Sequence, residues 1–186
     1  MNTAEGGPAE EARRASEASV VVRLVTDAQR GDRSAFGELY LRFSRMVHGI
    51  LLARVPRPEV EDLVHEVFVT ALQSLGALHD AAAFGGWLAA ITRNRAHDRH
   101  RRHRPTQELP PDIAGDRHPE GEGTAVLAAI RALPEAYRET LVLRLVEGMT
   151  GPEIAERTGL SHGSVRVNLH RGMGLLRERL GKGRAS

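Results

Sequence analysis

Residues 151–171 read Gly-Pro-Glu-Ile-Ala-Glu-Arg-Thr-Gly-Leu-Ser-His-Gly-Ser-Val-Arg-Val-Asn-Leu-His-Arg, a pattern of two short helices joined by a tight turn. Gly159 stands where the chain must turn, because glycine reaches positive φ without steric cost. Ser161 is placed to cap the second helix through its hydroxyl. The apolar residues of that helix recur at steps of four, four and three, which places them on one face: Val165, Leu169, Met173 and Leu176. The stretch therefore predicts a helix-turn-helix.

The opposite face of the second predicted helix is mostly polar or small and carries four basic or titratable side chains: His162, Arg166, His170 and Arg171. A helix of this kind can enter the major groove of DNA, with its N-terminal residues reaching the base edges. Gly172 and Gly174 each lower helix propensity by up to about 1 kcal/mol relative to alanine. We therefore predict that this DNA-binding helix is shorter or looser than is usual for the second helix of a helix-turn-helix.

Composition and charge limit the classes of protein that fit. The chain has 186 residues, of which 41% are hydrophobic and 4% aromatic, so aliphatic side chains must fill the core. The net charge of +2 hides a segregation, because six arginines lie within residues 93–104 and five acids lie within residues 108–122. Such blocks indicate different partners for different surfaces. Absence of cysteine excludes disulfides and thiolate metal sites and fits a reducing cytoplasm. We expect neither a membrane span nor a signal peptide.

Helical periodicity and chain breakers predict an all-α protein of two small domains joined by a flexible acidic linker, the second domain being the helix-turn-helix. Residues 1–19 have almost no large apolar side chains, which predicts a disordered tail. Prolines and glycines interrupt residues 105–123, which predicts the linker. The predicted domains are 20–104 and 124–182. The predicted helices of the first domain are 20–30, 34–53, one from about residue 60, and 84–104.

Three stretches in this order resemble the extracytoplasmic-function (ECF) group of bacterial sigma factors. Residues 60–68, Val-Glu-Asp-Leu-Val-His-Glu-Val-Phe, are similar to the helix that binds core RNA polymerase. Residues 84–94, Phe-Gly-Gly-Trp-Leu-Ala-Ala-Ile-Thr-Arg-Asn, are similar to the helix that melts promoter DNA. Leu-Pro-Glu at 133–135, followed by the helix-turn-helix, is similar to the second domain. The resemblance covers roughly residues 20–180 and implies a factor that binds core polymerase and directs it to promoters.

The resemblance implies a role for each polar surface. The resemblance assigns polymerase binding to an acidic helix face, which in the family contacts a coiled coil of the largest polymerase subunit. The residues of this face are Glu61, Asp62, His65 and Glu66. His65 stands where the family usually has glutamine. The resemblance assigns the minus-ten promoter element to the fourth helix and the loop before it, and a flipped base would be held near that loop. The residues assigned to this element are His79, Asp80, Asn94, Arg95, Asp98, Arg99 and Arg102. Trp87 is expected in the core rather than stacked on a base. The mechanism implied is capture of an open state of the DNA, without hydrolysis.

The resemblance assigns binding of the minus-thirty-five element to the second helix of the helix-turn-helix, with these residues: His162, Gly163, Ser164, Arg166, Val167, His170 and Arg171. Asn168 occupies a position where the family often has a basic residue. The resemblance also implies a linker that threads toward the RNA exit path and, in many members, a separate anti-sigma protein. We predict no enzymatic activity and no cofactor or metal, because no nucleophile–base pair or phosphate loop is apparent in the sequence.

Three other interpretations compete with this one. A metal site at His97, His100 and His103 is disfavoured, because six arginines surround it and no carboxylate or cysteine completes it. His65-Glu66 lacks the second histidine of a zinc-protease helix, since Val69 stands there. An independent helix-turn-helix regulator would bind DNA specifically without polymerase. A decoy would hold polymerase without recognising promoters, and the basic helices argue against it.

Overall fold

The computed structural model describes residues 8–102 and 122–183, and every regular element within these ranges is helical. The elements are α1 (Pro8–Gln29), α2 (Arg33–Leu52), α3 (Val60–Ser74), α4 (Phe84–Arg102), α5 (Glu122–Arg131), α6 (Glu135–Leu145), α7 (Gly151–Thr158) and α8 (His162–Gly183). Short 3₁₀ turns precede α3 and α4. The prediction of an all-α chain is confirmed. The predicted linker lies almost wholly outside the described residues.

Helix α2 is the centre of the N-terminal unit, formed by α1–α4. Its start is set by Asp32, whose carboxylate accepts hydrogen bonds from the backbone N–H of Ser34 and Ala35 at 2.8 and 3.1 Å. Leu39, Met46 and Ile50, at helical spacing, are fully buried among α1, α3 and α4. The apolar periodicity of the sequence therefore packs α2 at the middle of a four-helix unit.

Helix α1 includes residues that the sequence predicted to belong to a disordered tail. It spans Pro8–Gln29, whereas the sequence predicted a helix from residue 20. Residues 8–19 are rich in Ala, Glu and Arg, which are strong helix formers. Once a packed helix exists, each further residue adds a hydrogen bond without a new nucleation cost. Intrinsic propensity therefore favours continuing α1 back to residue 8, and the tail prediction for residues 1–7 lies outside the described residues.

The C-terminal unit consists of α5–α8, with Leu141, Ile154 and Val165 buried at its centre. Helix α8 is continuous over 22 residues, so the prediction of a shortened helix is wrong. Gly172 explains why: a Cβ there would lie 2.9 Å from Leu141 Cδ1 and 3.1 Å from Tyr137 Cβ. The glycine costs some helix propensity, but it allows α6 and α8 to approach closely.

The two units pack against each other, with α6 on α2 and α7 on α4. Two glycines at the start of α4 make this approach possible. A Cβ on Gly85 would lie 2.7 Å from the carbonyl oxygen of Arg157, and one on Gly86 would lie 3.3 Å from Cα of Gly159. We call this packing of α6 and α7 on α2 and α4 the closed arrangement. Separately, none of the helices in the described ranges is long and apolar enough to cross a membrane.

Candidate nucleic-acid and protein interfaces

The helix-turn-helix forms by local signals that the sequence carries. Thr150 and Glu153 form a capping box at the start of α7: the Glu153 N–H donates to Thr150 Oγ1 at 3.3 Å, and the Thr150 N–H donates to Glu153 Oε2 at 2.7 Å. Gly159 adopts φ 72°, so the predicted positive φ at the turn is confirmed. Ser161 Oγ accepts the Ser164 N–H at 3.1 Å, which confirms the predicted cap of α8.

One face of α8 is exposed along its first three turns. All seven residues predicted for the minus-thirty-five element are exposed: His162, Gly163, Ser164, Arg166, Val167, His170 and Arg171. The other face is held by Val165 and Leu176, which are 1% and 3% exposed. Within the described ranges the structure records no ion pair for Arg166 or Arg171. The α8 face, defined by those seven residues, therefore presents cations and donors on a rigidly packed helix.

The residues predicted for the minus-ten element are not equivalent in the structure. Asn94 is exposed, as are His79 and Asp80 in the loop before α4. The Asp80 carboxylate accepts the Ala82 N–H at 2.9 Å, so Asp80 also stabilises the turn that leads into α4. All three side chains are exposed, and Asp80 differs from the other two in that it also forms a turn.

The arginines of α4 make contacts within the N-terminal unit. Arg95 donates to the Thr70 hydroxyl at 2.7 Å, and Arg99 Nε donates to a Glu59 carboxylate oxygen at 2.7 Å. Asp98 pairs with Arg101 at 3.4 Å. Arg102 lies in α4, and its side chain falls outside the described part of the chain. Arg95 and Arg99 thus tie α4 to α3 and to the turn before it.

Trp87 is partly buried, as predicted, and its ring centroid lies 5.8 Å from that of Phe84.

The acidic face of α3 is exposed as the sequence predicted. Glu61, Asp62, His65 and Glu66 are all exposed, and Glu61 lies 3.7 Å from His48. Acidic residues in the first turn also interact favourably with the helix dipole. We call these four residues the α3 face.

An apolar area that the sequence did not single out adjoins the α3 face. Val69 and Leu72 follow His65 by four and seven residues on α3 and are 40% and 52% exposed. Tyr40 of α2 is 40% exposed, and its ring packs on Phe68 at a centroid distance of 4.5 Å. Tyr40 and Leu72 recur with the apolar residues of α2 and α3 at helical spacing, so periodicity alone predicts that they are buried. The signal that could have identified the area is the continuation of the acidic residues by apolar ones at helical spacing.

Polar groups of the two units meet around Glu139 of α6, which the sequence did not identify. Glu139 is 6% exposed and accepts two hydrogen bonds from Arg93, from Nε at 3.1 Å and from a terminal nitrogen at 2.7 Å. Arg54 donates a third at 3.1 Å and also pairs with Glu135. Burial by itself raises the pKa of the Glu139 carboxyl, but the hydrogen bonds and charge of Arg93, then of Arg54, outweigh it and hold the pKa below its usual value.

Further polar contacts cross the closed arrangement, among them those of Arg131 and His48. Arg131 of α5 donates to the carbonyl oxygens of Leu52 and Val55, each at 2.8 Å, and so satisfies backbone acceptors at the end of α2. His48 hydrogen-bonds Glu147 at 2.7 Å; this bond raises the pKa of His48 above its usual value, despite the lowering by burial.

A cavity of about 340 Å³ between the two units is lined by Arg54, Arg93, Leu160 and Asn168, among others. Asn168 of α8 is half-buried there, so it lies at the edge of the α8 face.

Comparison with known protein families identifies both units. The family model for Sigma-70 region 2 matches residues 39–106, and that for Sigma-70 region 4 matches residues 124–176. The first contains the α3 face and α4, and the second contains the helix-turn-helix.

Individual relatives agree over most of the chain. RNA polymerase sigma factor CarQ of Myxococcus xanthus is 34% identical over 161 residues, which cover 82% of this chain and 92% of CarQ. ECF RNA polymerase sigma factor ShbA of Streptomyces griseus subsp. griseus is 33% identical, with 88% and 97% covered. The structure of CnrH in complex with the cytosolic domain of CnrY is 26% identical with a TM-score of 0.62, and it covers 88% of this chain and 98% of CnrH. CnrH is a sigma factor of Cupriavidus metallidurans.

Proposed function

The chain belongs to the ECF group of RNA polymerase sigma factors, which direct promoter-specific initiation without catalysis, and from this premise we propose how its surfaces divide the work. The N-terminal unit, α1–α4, binds core polymerase and the minus-ten element. The C-terminal unit, α5–α8, binds the minus-thirty-five element. The segment between α4 and α5 is the linker, and the protein works in the cytoplasm with the polymerase.

The α8 face binds the minus-thirty-five element. The observation that carries this assignment is the exposure of Arg166, His170 and Arg171 on a helix whose opposite side is buried. Arg166, near the helix N-terminus, is placed for a base edge, while Arg171 is placed for a phosphate. Ser164 lies in the first turn, where the helix dipole favours phosphate.

The minus-ten element is bound by α4 and the loop before it. Exposed Asn94 and His79 are our candidates for base contacts. Arg95 and Arg99 already have partners on α3 and the preceding turn, so we assign them to positioning α4 and to the positive potential that attracts phosphates. Asp98 and Arg102 complete the proposed surface.

Core polymerase is bound by the α3 face together with the adjoining apolar area. Carboxylates suit a basic partner helix, and exposed Val69 and Leu72 provide apolar area that a partner can bury. An anti-sigma protein is a further proposed partner. Its support is that CnrH, which shares this fold, is seen in complex with the cytosolic domain of another protein, CnrY.

The test is run-off transcription with bacterial core polymerase over a pool of promoter fragments. We expect defined transcripts only when the chain is present. Arg166→Ala should lower promoter use by roughly 5- to 150-fold, the range for loss of one base contact worth about 1–3 kcal/mol, while polymerase binding is retained. Arg177→Ala is the matched control, because Arg177 is an exposed arginine of α8 outside the α8 face.

Two outcomes would contradict this assignment. If Arg166→Ala abolishes polymerase binding, the proposed division of labour is wrong. If the chain binds one duplex sequence specifically without polymerase and supports no initiation, it acts as an independent regulator.

A further inference from the structure

Arg54 and Arg93 converge on a single carboxylate that comes from the other unit. Arg93 lies on α4 and Arg54 follows α2, yet both guanidinium groups donate to Glu139 of α6 within 3.1 Å. The other recorded hydrogen-bond acceptors of these two guanidinium groups, within the described ranges, are Glu135 and the carbonyl oxygen of Thr158, which also belong to the C-terminal unit. The N-terminal unit therefore has two neighbouring cations whose recorded anionic partners come entirely from elsewhere in the chain.

Arg54 also keeps a donor that Glu139 does not use. Its Nε is buried and has no hydrogen-bond partner among residues 8–102 and 122–183. A buried donor without a partner costs free energy. The pair of guanidiniums could therefore accept an anion with more oxygens than a carboxylate has.

The closed arrangement is incompatible with simultaneous binding of both promoter elements. The minus-ten and minus-thirty-five elements are numbered by their position on the promoter, so they lie about 25 base pairs apart. This spacing is about 85 Å at about 3.4 Å per base pair. A compact chain of this length has a radius of gyration of about 16 Å, hence a diameter of about 40 Å. The two units must separate on a promoter, and Glu139 then leaves Arg54 and Arg93.

We propose that Arg54 and Arg93 form a phosphate-binding site for nucleic acid on the N-terminal unit, and that Glu139 occupies this site in the closed arrangement. A phosphate presents oxygens to a guanidinium with the same bidentate geometry as a carboxylate. Arg93 directly precedes Asn94 on the helix proposed to contact the minus-ten element, which favours DNA over an acidic protein as the ligand. Glu139 thus masks part of the DNA-binding surface until the units separate. The inference rests on the proposed binding of DNA by α4.

The test measures closure and DNA binding on the full chain, without polymerase. The chain has no cysteine, so Gly76→Cys and Gly174→Cys provide two unique labelling sites for fluorescence energy transfer. Both glycines are exposed, and a Cβ on either meets nothing within 4 Å. The ligand is a single-stranded oligonucleotide of mixed sequence, because a phosphate site requires no particular bases.

Glu139→Gln should lower the energy transfer and strengthen oligonucleotide binding. At about 0.1 M salt, a slope of about 0.7 per phosphate contact corresponds to about a fivefold gain in affinity for each arginine released. Adding Arg93→Ala to Glu139→Gln should lower the affinity for the oligonucleotide about fivefold. Glu38→Gln, which removes an exposed charge from α2, is the matched control and should change neither signal.

A second measurement needs no change at the buried carboxylate. If DNA and Glu139 compete, binding and closure are reciprocally linked, so the oligonucleotide must lower energy transfer in the chain that keeps Glu139. Binding without any change in energy transfer would overturn the proposal. So would a Glu139→Gln chain that opens but binds no better than Glu38→Gln. Run-off transcription is a separate readout, so failure here leaves the family function intact.

Discussion

Replacing Gly159 with alanine tests the turn of the helix-turn-helix directly. Gly159 adopts φ 72° and ψ 11° and ends α7 with a hydrogen bond from its N–H to the Ala155 carbonyl oxygen. A side chain in this left-handed region costs about 1–2 kcal/mol. The new Cβ would also lie 3.0 Å from Cα of Gly86 across the closed arrangement. Both effects destabilise the native chain.

Thermal unfolding followed by circular dichroism measures the effect. For a chain of this size, 1 kcal/mol shifts the Tm by about 2–4 °C, so Gly159→Ala should lower the Tm by about 2–8 °C. Gly174→Ala is the matched control: Gly174 is exposed inside α8, and a Cβ there meets nothing within 4 Å. That control should stabilise the chain by about 0.5–1 kcal/mol through helix propensity.

Gly86→Ala separates the two costs, because it adds a Cβ 3.3 Å from Cα of Gly159 without requiring a positive φ. It should cost less than Gly159→Ala. A Tm for Gly159→Ala at or above that of the parent chain would refute the reasoning.

Three other expectations concern the polymerase surface, pH and the core. Glu66→Arg should weaken binding to core polymerase in a pull-down, while Glu38→Arg should not; equal binding by both would contradict the assignment of the α3 face. The pKa of His48 is raised by Glu147, so this contact stabilises the fold below about pH 6.5 and is lost as the pH rises through the higher folded-state pKa. The Tm advantage of the parent chain over His48→Gln should therefore be larger at pH 6 than at pH 8, and a pH-independent difference would exclude the linkage. Leu141→Ala, at a fully buried site, should lower the free energy of unfolding in urea by about 2–5 kcal/mol; a loss below about 1 kcal/mol would show that the site repacks.

Much of the secondary structure could be predicted because its signals are local. Asp32, Thr150 and Ser161 cap their helices through hydrogen bonds to backbone groups two or three residues away. Gly159 turns the chain by its own backbone freedom. The exposed residues of α8 follow from helical periodicity, since the same repeat that buries Val165 and Leu176 directs Arg166 and His170 outward.

The errors arose where a long-range contact or a cooperative effect outweighs local composition. Gly172 indicated a weak helix, yet in the fold its missing side chain leaves room for Leu141 of α6 to pack against α8. Residues 8–19 lack an apolar face, yet their propensity extends a helix that already exists. In both cases the outcome depends on what surrounds the segment, which local composition does not contain.

The sequence by itself determined most of the helices, the turn between α7 and α8, and the polar faces of α3 and α8, because each depends on residues within a few positions of one another. Only the tertiary structure decided that Arg54 and Arg93 meet Glu139, that Arg131 caps the end of α2, and that Gly85 receives the backbone of Arg157. These partners are separated by about 45 to 85 positions. Their meeting depends on how the two units pack on each other, and no local periodicity encodes that packing.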